Sequence, residues 1–165
     1  MSAIDDLVKR NREYASGFPS DLTAKPATGV AVLTCMDARL HVGRLLGLAE
    51  GDAHIIRNAG AAVTDDVIRS LAVSQRLLGT REVMVIAHTD CGMRTFSGAE
   101  FHAELEQETG VRPGWHPEEF IDPEVDVRRS VGQLTGSPFL PHTDAVRGFV
   151  VDVKDGTLRE VADDA

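Results

Sequence analysis

Two uninterrupted apolar runs, Val30-Ala-Val-Leu-Thr34 and Val83-Met-Val-Ile-Ala87, most constrain what this chain can fold into. Runs of this length, rich in β-branched residues and bounded by turn formers, read as strands buried on both faces. That is the pattern of a parallel sheet covered by helices. Each run stops at a residue with chemistry to offer: Cys35 after the first, His88 after the second, and Cys91 three residues further on. In open α/β sheets, ligands bind beyond the carboxyl ends of the strands, where strand order reverses. If the two strands are neighbours, Cys35, His88 and Cys91 converge there, with Asp37 and Arg39 close by. Such a set supplies three metal ligands and leaves a fourth position open.

The rest of the chain supports an α/β reading. Asp5 to Ser16 form an expected N-terminal helix ended by Gly17, and a Pro-containing loop follows to about Thr28. A short helical turn is expected around Val42–Leu48, then a strand Ala53–Arg57 closed by Asn58-Ala-Gly60. Thr64 is placed as an N-cap with Asp65 and Asp66 in the first turn, where carboxylates suit the helix dipole. Val67, Ile68, Leu71, Ala72 and Leu78 give that helix an apolar face, and Gly79 ends it. Further helices are expected over Gly98–Thr109 and Pro123–Leu134, with loop from Gly110 to Pro123. Val146–Val153 reads as a strand, and Lys154-Asp-Gly156 turns it into a hairpin with Thr157–Val161. The expected architecture is one domain over 1–165, with residues 1–28 as an N-terminal helix and arm. Its mainly parallel central sheet is flanked by helices and carries the C-terminal hairpin strand at its edge.

Charge narrows the partners. Seventeen basic against 26 acidic residues give −9, which argues against a nucleic-acid or anionic membrane surface as partner. The first residues lack the apolar core of a signal peptide, and no stretch approaches the roughly 18 apolar residues of a membrane span. The cytoplasm is the expected location. Cys35 and Cys91 are then reduced, which favours a metal or catalytic role over a disulfide. Two thiols packed as small hydrophobes are the plain alternative.

Thiolate and imidazole are zinc ligands, and a catalytic zinc keeps one position open. A closed structural site would need a fourth ligand that no third cysteine supplies. Asp37 and Arg39, two apart in a turn, suit a bidentate ion pair. Alone, such a pair is a surface salt bridge worth about 0–1 kcal/mol. Beside a zinc ligand it gains a use, because Arg39 can hold Asp37 as a proton acceptor for hydroxide made at the metal.

The series Cys35-x-Asp37-x-Arg39, Arg57-Asn-Ala-Gly60 and His88-x-x-Cys91-Gly92 resembles the β-class carbonic anhydrases, especially their short microbial form. The resemblance spans nearly the whole chain. It implies that Cys35, His88 and Cys91 bind zinc, that Asp37 and Arg39 form the catalytic dyad, and that the Gly92 amide lies near substrate. The implied activity is reversible hydration of carbon dioxide to bicarbonate and a proton. Carbonyl sulfide hydrolysis at the same site is the rival activity, and a non-catalytic zinc-binding or redox-sensing module is the rival class. An intact Asp37–Arg39 pair argues against the module. In part of the family the equivalent aspartate leaves its arginine and becomes a fourth zinc ligand; Asp37 is placed to do so, with the closed form favoured at low pH. Members are homodimers or larger, so a homodimer or homotetramer is expected, with Asp5–Ser16 reaching to the partner. Ala38 departs from the serine that many members carry there, and the substrate-side glutamine of plant-type members has no match. His41, His54, His102, His116 and His142 are expected as surface or packing residues, as are Glu104, Glu106 and Glu108. Trp115 and Phe120 are expected to meet a partner or cover the core.

Overall fold

The computed structural model describes residues 2–162; the outermost positions of the expected 1–165 unit, 1 and 163–165, lie outside them. Five strands form one sheet: β1 (Val30–Cys35), β2 (Ala53–Asn58), β3 (Glu82–His88), β4 (Val146–Val151) and β5 (Leu158–Val161). Their order is β2-β1-β3-β4-β5, with β1 to β4 parallel and β5 antiparallel to β4 at the edge. The chain runs from β1 out to β2, then crosses back to place β3 on the other side of β1. The gap beyond the ends of β1 and β3 is therefore where strand order reverses.

Helices α1 (Ala3–Ala15), α2 (Val42–Leu46), α3 (Asp65–Leu78), α4 (Gly98–Thr109) and α5 (Pro123–Thr135) complete the fold. Start signals behave as their chemistry dictates. Thr64 caps α3 by accepting the Val67 amide, and Asp122 caps α5 with Pro123 in its first turn. Ser2 and Asp5 form a reciprocal capping box, so α1 begins at Ala3, two residues earlier than its pattern suggests.

One core layer joins Leu33, Val85, Val67, Leu71, Val127 and Leu134. The other joins Val32, Ile86, Leu40, Phe120 and Phe149 with Cys35 and Cys91. Helix α5 lies so close on β4 that a Cβ at Gly148 would run into the Val127 side chain. Helix α3 also buries two polar residues that the apolar pattern does not show. Ser74 bonds His54 and Thr80, and the Gln75 amide clips the His142 backbone in both directions.

Two boundaries are corrected. Strand β4 stops at Val151 instead of Val153, and β5 starts at Leu158. Asp155-Gly156 is not a two-residue hairpin turn; it sits inside a longer connection in which Gly156 takes φ 77° and donates to the Asp152 carbonyl at 2.8 Å. Helix α1 buries no residue, leaving Ile4, Leu7 and Val8 exposed. Among the described residues, no helix is long and apolar enough to cross a membrane.

Candidate active site

Cys35 is the last residue of β1 and His88 the last of β3. These strands pair in parallel with Thr34 beside Ile86, and a buried Thr34 hydroxyl donates to the Ile86 carbonyl at 2.9 Å. After His88 the chain turns through Thr89 and Asp90 and returns with Cys91, just before a 3-10 turn over Gly92–Arg94. All three side chains are buried, and one ligand atom from each lies within 4.8 Å of the others. The two sulfurs are 4.0 Å apart.

The imidazole is oriented for ligation. His88 Nδ1 donates to the Thr89 carbonyl at 2.9 Å, because a carbonyl can only accept. That leaves Nε2 with a free lone pair, and this buried atom has no hydrogen-bond partner. A buried polar atom without a partner is costly unless something else fills the position. Two sulfurs and one imidazole nitrogen form a donor set that suits zinc.

Backbone amides reinforce the thiolate. Cys35 is pulled well below its ordinary value by its contact with Cys91; burial opposes the shift, while His88 and the amides of Asp37 and Gly60 add to it. Cys91 is pushed the other way, by Cys35 and then by burial. Of the two sulfurs, Cys35 is the one whose surroundings favour the thiolate. Burial lowers His88, but the neighbouring Cys35 and the Thr89 carbonyl outweigh it, so its pKa ends raised. Gly60 can approach Cys35 because it adopts φ 81°, and a Cβ there would press on Met93 Cγ at 3.2 Å.

Asp37 and Arg39 pair bidentately. Arg39 Nε donates to Oδ1 at 3.0 Å and Nη2 to Oδ2 at 2.8 Å, while the Arg39 amide also donates to Oδ1 at 2.9 Å. Arg39 holds the Asp37 carboxyl well below the usual carboxylate range. A depressed folded-state pKa makes this pair's contribution to stability present above about pH 4, and it is lost as pH falls through the depressed value. Asp37 Oδ2 lies 3.8 Å from His88 Nε2, so the carboxylate stands beside the ligand group while bound to Arg39.

The sequence motif around Arg57 named a residue without its task. Arg57 Nε donates to the Cys35 carbonyl at 3.0 Å and Nη2 to the Asp37 carbonyl at 2.7 Å, fixing the backbone that carries both side chains. Nothing in the sequence pattern marks Asp90 as a partner of the dyad. Asp90 accepts from Arg39 Nη1 at 2.8 Å. Gly92 stands exposed next to Cys91, with open space where a side chain would go. The remaining histidines sit elsewhere in local roles: His41 caps α2, His54 bonds Ser74 and the Ala24 carbonyl, and His102 packs edge-on against Trp115. Trp115 is exposed, whereas Phe120 is buried beside Cys35 and Cys91.

Comparison with known proteins agrees with this geometry. Residues 30–118 match the family described as carbonic anhydrase. The chain is 52% identical to β-carbonic anhydrase 1 of Mycobacterium tuberculosis over 161 residues, covering 98% of this chain and 99% of that protein. It is 33% identical to the carbon disulfide hydrolase of an Acidianus species, covering 95% and 88%. The crystal structure of a carbonic anhydrase from Streptococcus mutans superposes with a TM-score of 0.92 at 46% identity, covering 98% of this chain and 99% of that one.

Proposed function

The chain belongs to the β-carbonic anhydrase family, and on that premise we propose that it catalyses zinc-dependent, reversible hydration of carbon dioxide to bicarbonate and a proton. The observation that carries this reading is the Cys35–His88–Cys91 group with a carboxylate held beside it by Arg39. Zinc held by those three residues would act as a Lewis acid that brings the pKa of water from about 15.7 towards 7. The chain's own residues then direct the attack. An ionised carboxylate only accepts hydrogen bonds. Asp37 Oδ2 faces the ligand group, 3.8 Å from His88 Nε2, and would accept a hydrogen bond from hydroxide supplied there, turning an oxygen lone pair towards the carbon of carbon dioxide. A protonated Asp37 could donate instead and spoil that orientation, and Arg39 prevents it. Gly92, with no side chain, leaves room for substrate beside Cys91.

The test is stopped-flow hydration of carbon dioxide by zinc-quantified protein at about pH 8.5, above the roughly neutral pKa a zinc site gives water. Fast turnover with one zinc per chain is expected; a zinc-loaded but silent protein would sink the reading. Carbonyl sulfide and carbon disulfide belong in parallel, since a relative is a carbon disulfide hydrolase. Low-pH closure, with Asp37 moving from Arg39 to become a fourth ligand, is part of this reading. Crystals that keep Asp37 on Arg39 from acid to alkaline pH would remove it.

Assembly into a homodimer or homotetramer belongs to the same proposal, and α1 supports it. A 13-residue helix with no buried side chain is marginal alone in water, yet it presents Ile4, Leu7 and Val8. A second copy that covers this face explains it. Leu7→Glu is expected to drop the native mass, by light scattering, towards the 17.8 kDa of one chain. A wild-type chain already monomeric would count against assembly. A reducing cytoplasm, which keeps both thiols available as ligands, fits the same reading.

A further inference from the structure

We propose that Asp90 is a positioning residue for the hydration reaction, clamping Arg39 on the side away from Asp37 and so fixing the dyad against the turn that carries His88 and Cys91. The inference rests on the functional reading above.

Arg39 uses its guanidinium as a two-sided fork. Nε and Nη2 hold Asp37 at 3.0 and 2.8 Å. Nη1 donates to Asp90 Oδ2 at 2.8 Å, and Nη2 also donates to the Asp90 carbonyl at 2.8 Å. Side chain and backbone of one residue thus grip the outer edge together. Stability is a poor explanation, because the Asp90 side chain is 78% exposed and an exposed ion pair adds little.

Backbone conformation points the same way. Asp90 has φ 53°, a region that residues with a Cβ seldom enter. Glycine enters it without strain, and aspartate and asparagine are the side-chain-bearing residues that tolerate it best. At this position the chain has a residue that takes the conformation and also supplies an acceptor. The turn before it is already anchored: the Thr89 amide donates to the Val151 carbonyl at 3.0 Å, and the Thr89 hydroxyl donates to Asp152 at 3.2 Å.

Topology says why a clamp is needed. Asp37 and Arg39 sit on one loop after β1, so their mutual contact ties neither side chain to the loop after β3. Asp90 makes that tie across the gap between the strand ends. Without it the pair can swing as a unit, and misplacement of a reacting group by about 1 Å can cost roughly 100-fold in rate.

The experiment compares Asp90→Ala, Asp90→Gly and Asp90→Asn in zinc-quantified protein. Asp90→Ala and Asp90→Gly are expected to lose about 10-fold to 100-fold in kcat, with KM and zinc content little changed. Glycine relieves any strain, so its loss separates the clamp from a turn preference. Asp90→Asn, whose amide oxygen still accepts from Nη1, recovers most of the rate. In an Asp37→Asn background Asp90→Ala should have almost no further effect, as expected for a residue acting through the dyad. A second readout needs no turnover: the Arg39 Nε–H resonance, protected by Asp37, should exchange faster in Asp90→Ala. Unchanged kcat in the alanine and glycine variants overturns the proposal, as does zinc loss in all three, or an asparagine variant as impaired as alanine. If wild-type protein does not hydrate carbon dioxide, the functional reading fails, and unchanged Arg39 exchange would then separately overturn the clamp.

Discussion

Asp37→Asn is expected to lower kcat for carbon dioxide hydration by about 10²-fold to 10⁴-fold, the range for a positioned proton acceptor. Zinc should remain at one per chain, because Cys35, His88 and Cys91 are untouched. Asparagine keeps the size of aspartate but replaces one acceptor oxygen with an NH₂ donor. If that NH₂ takes the place of Oδ2, it meets Arg39 Nη2, another donor, and presents a donor to the incoming hydroxide. If the amide flips, it opposes the Arg39 amide and Nε, both of which donate to Oδ1 in the native pair. Neither orientation satisfies both sides. Folding should change little, since the pair is partly exposed and such bridges contribute about 0–1 kcal/mol. A large fall in kcat with a nearly unchanged melting temperature is therefore the signature. Retention of wild-type rate would show that the carboxylate does not orient the nucleophile. The acid limb of the wild-type profile should not follow Asp37 protonation while Arg39 holds it, because that carboxyl titrates well below its ordinary range.

Much of this centre is legible in the sequence. The two apolar runs became adjacent parallel strands, β1 and β3, and their ends placed Cys35 and His88 side by side at the reversal of strand order. Asp37 and Arg39 paired as their two-residue spacing suggests. What stayed hidden was whatever depends on a turn's backbone or on long-range geometry. Asp90 reads in sequence as one more exposed acid, and only its left-handed conformation and the path of Arg39 show it as a partner. Arg57 stood inside a recognised motif, but its bonds to the Cys35 and Asp37 carbonyls need β2 laid beside β1 in register. Ser74 and Gln75 break the apolar face of α3, and burial there is tolerated because each finds distant polar partners. The connection after β4 misled for a local reason. Asp155-Gly156 has the composition of a tight hairpin turn, yet the strands separate early enough that Asp152 bonds Thr157 across a wider loop.

Cys91→Ser is expected to weaken zinc binding by more than about 100-fold, the upper range for losing even an outer-shell partner. A serine hydroxyl does not ionise in this range of pH, so the site would lose a thiolate and gain a neutral oxygen. Cys35 keeps a neighbour that can donate a hydrogen bond to its thiolate, so the change is confined to the lost ligand. Because ligands must be deprotonated to bind metal, zinc retention in the variant should worsen as pH falls. The fold itself should persist in the metal-free form. The layer containing Val32, Ile86, Leu40 and Phe149 is apolar and does not need the metal to close. Stability nevertheless becomes zinc-linked. A ligand present at about 1,000 times its Kd adds roughly 4 kcal/mol to the folded state, and most of that increment should vanish in the variant. Zinc per chain after dialysis against a chelator, with melting temperature measured with and without added zinc, reads both effects. A serine variant that keeps one zinc and its zinc-dependent melting shift would show that Cys91 is not a ligand, whatever the proximity of the two sulfurs.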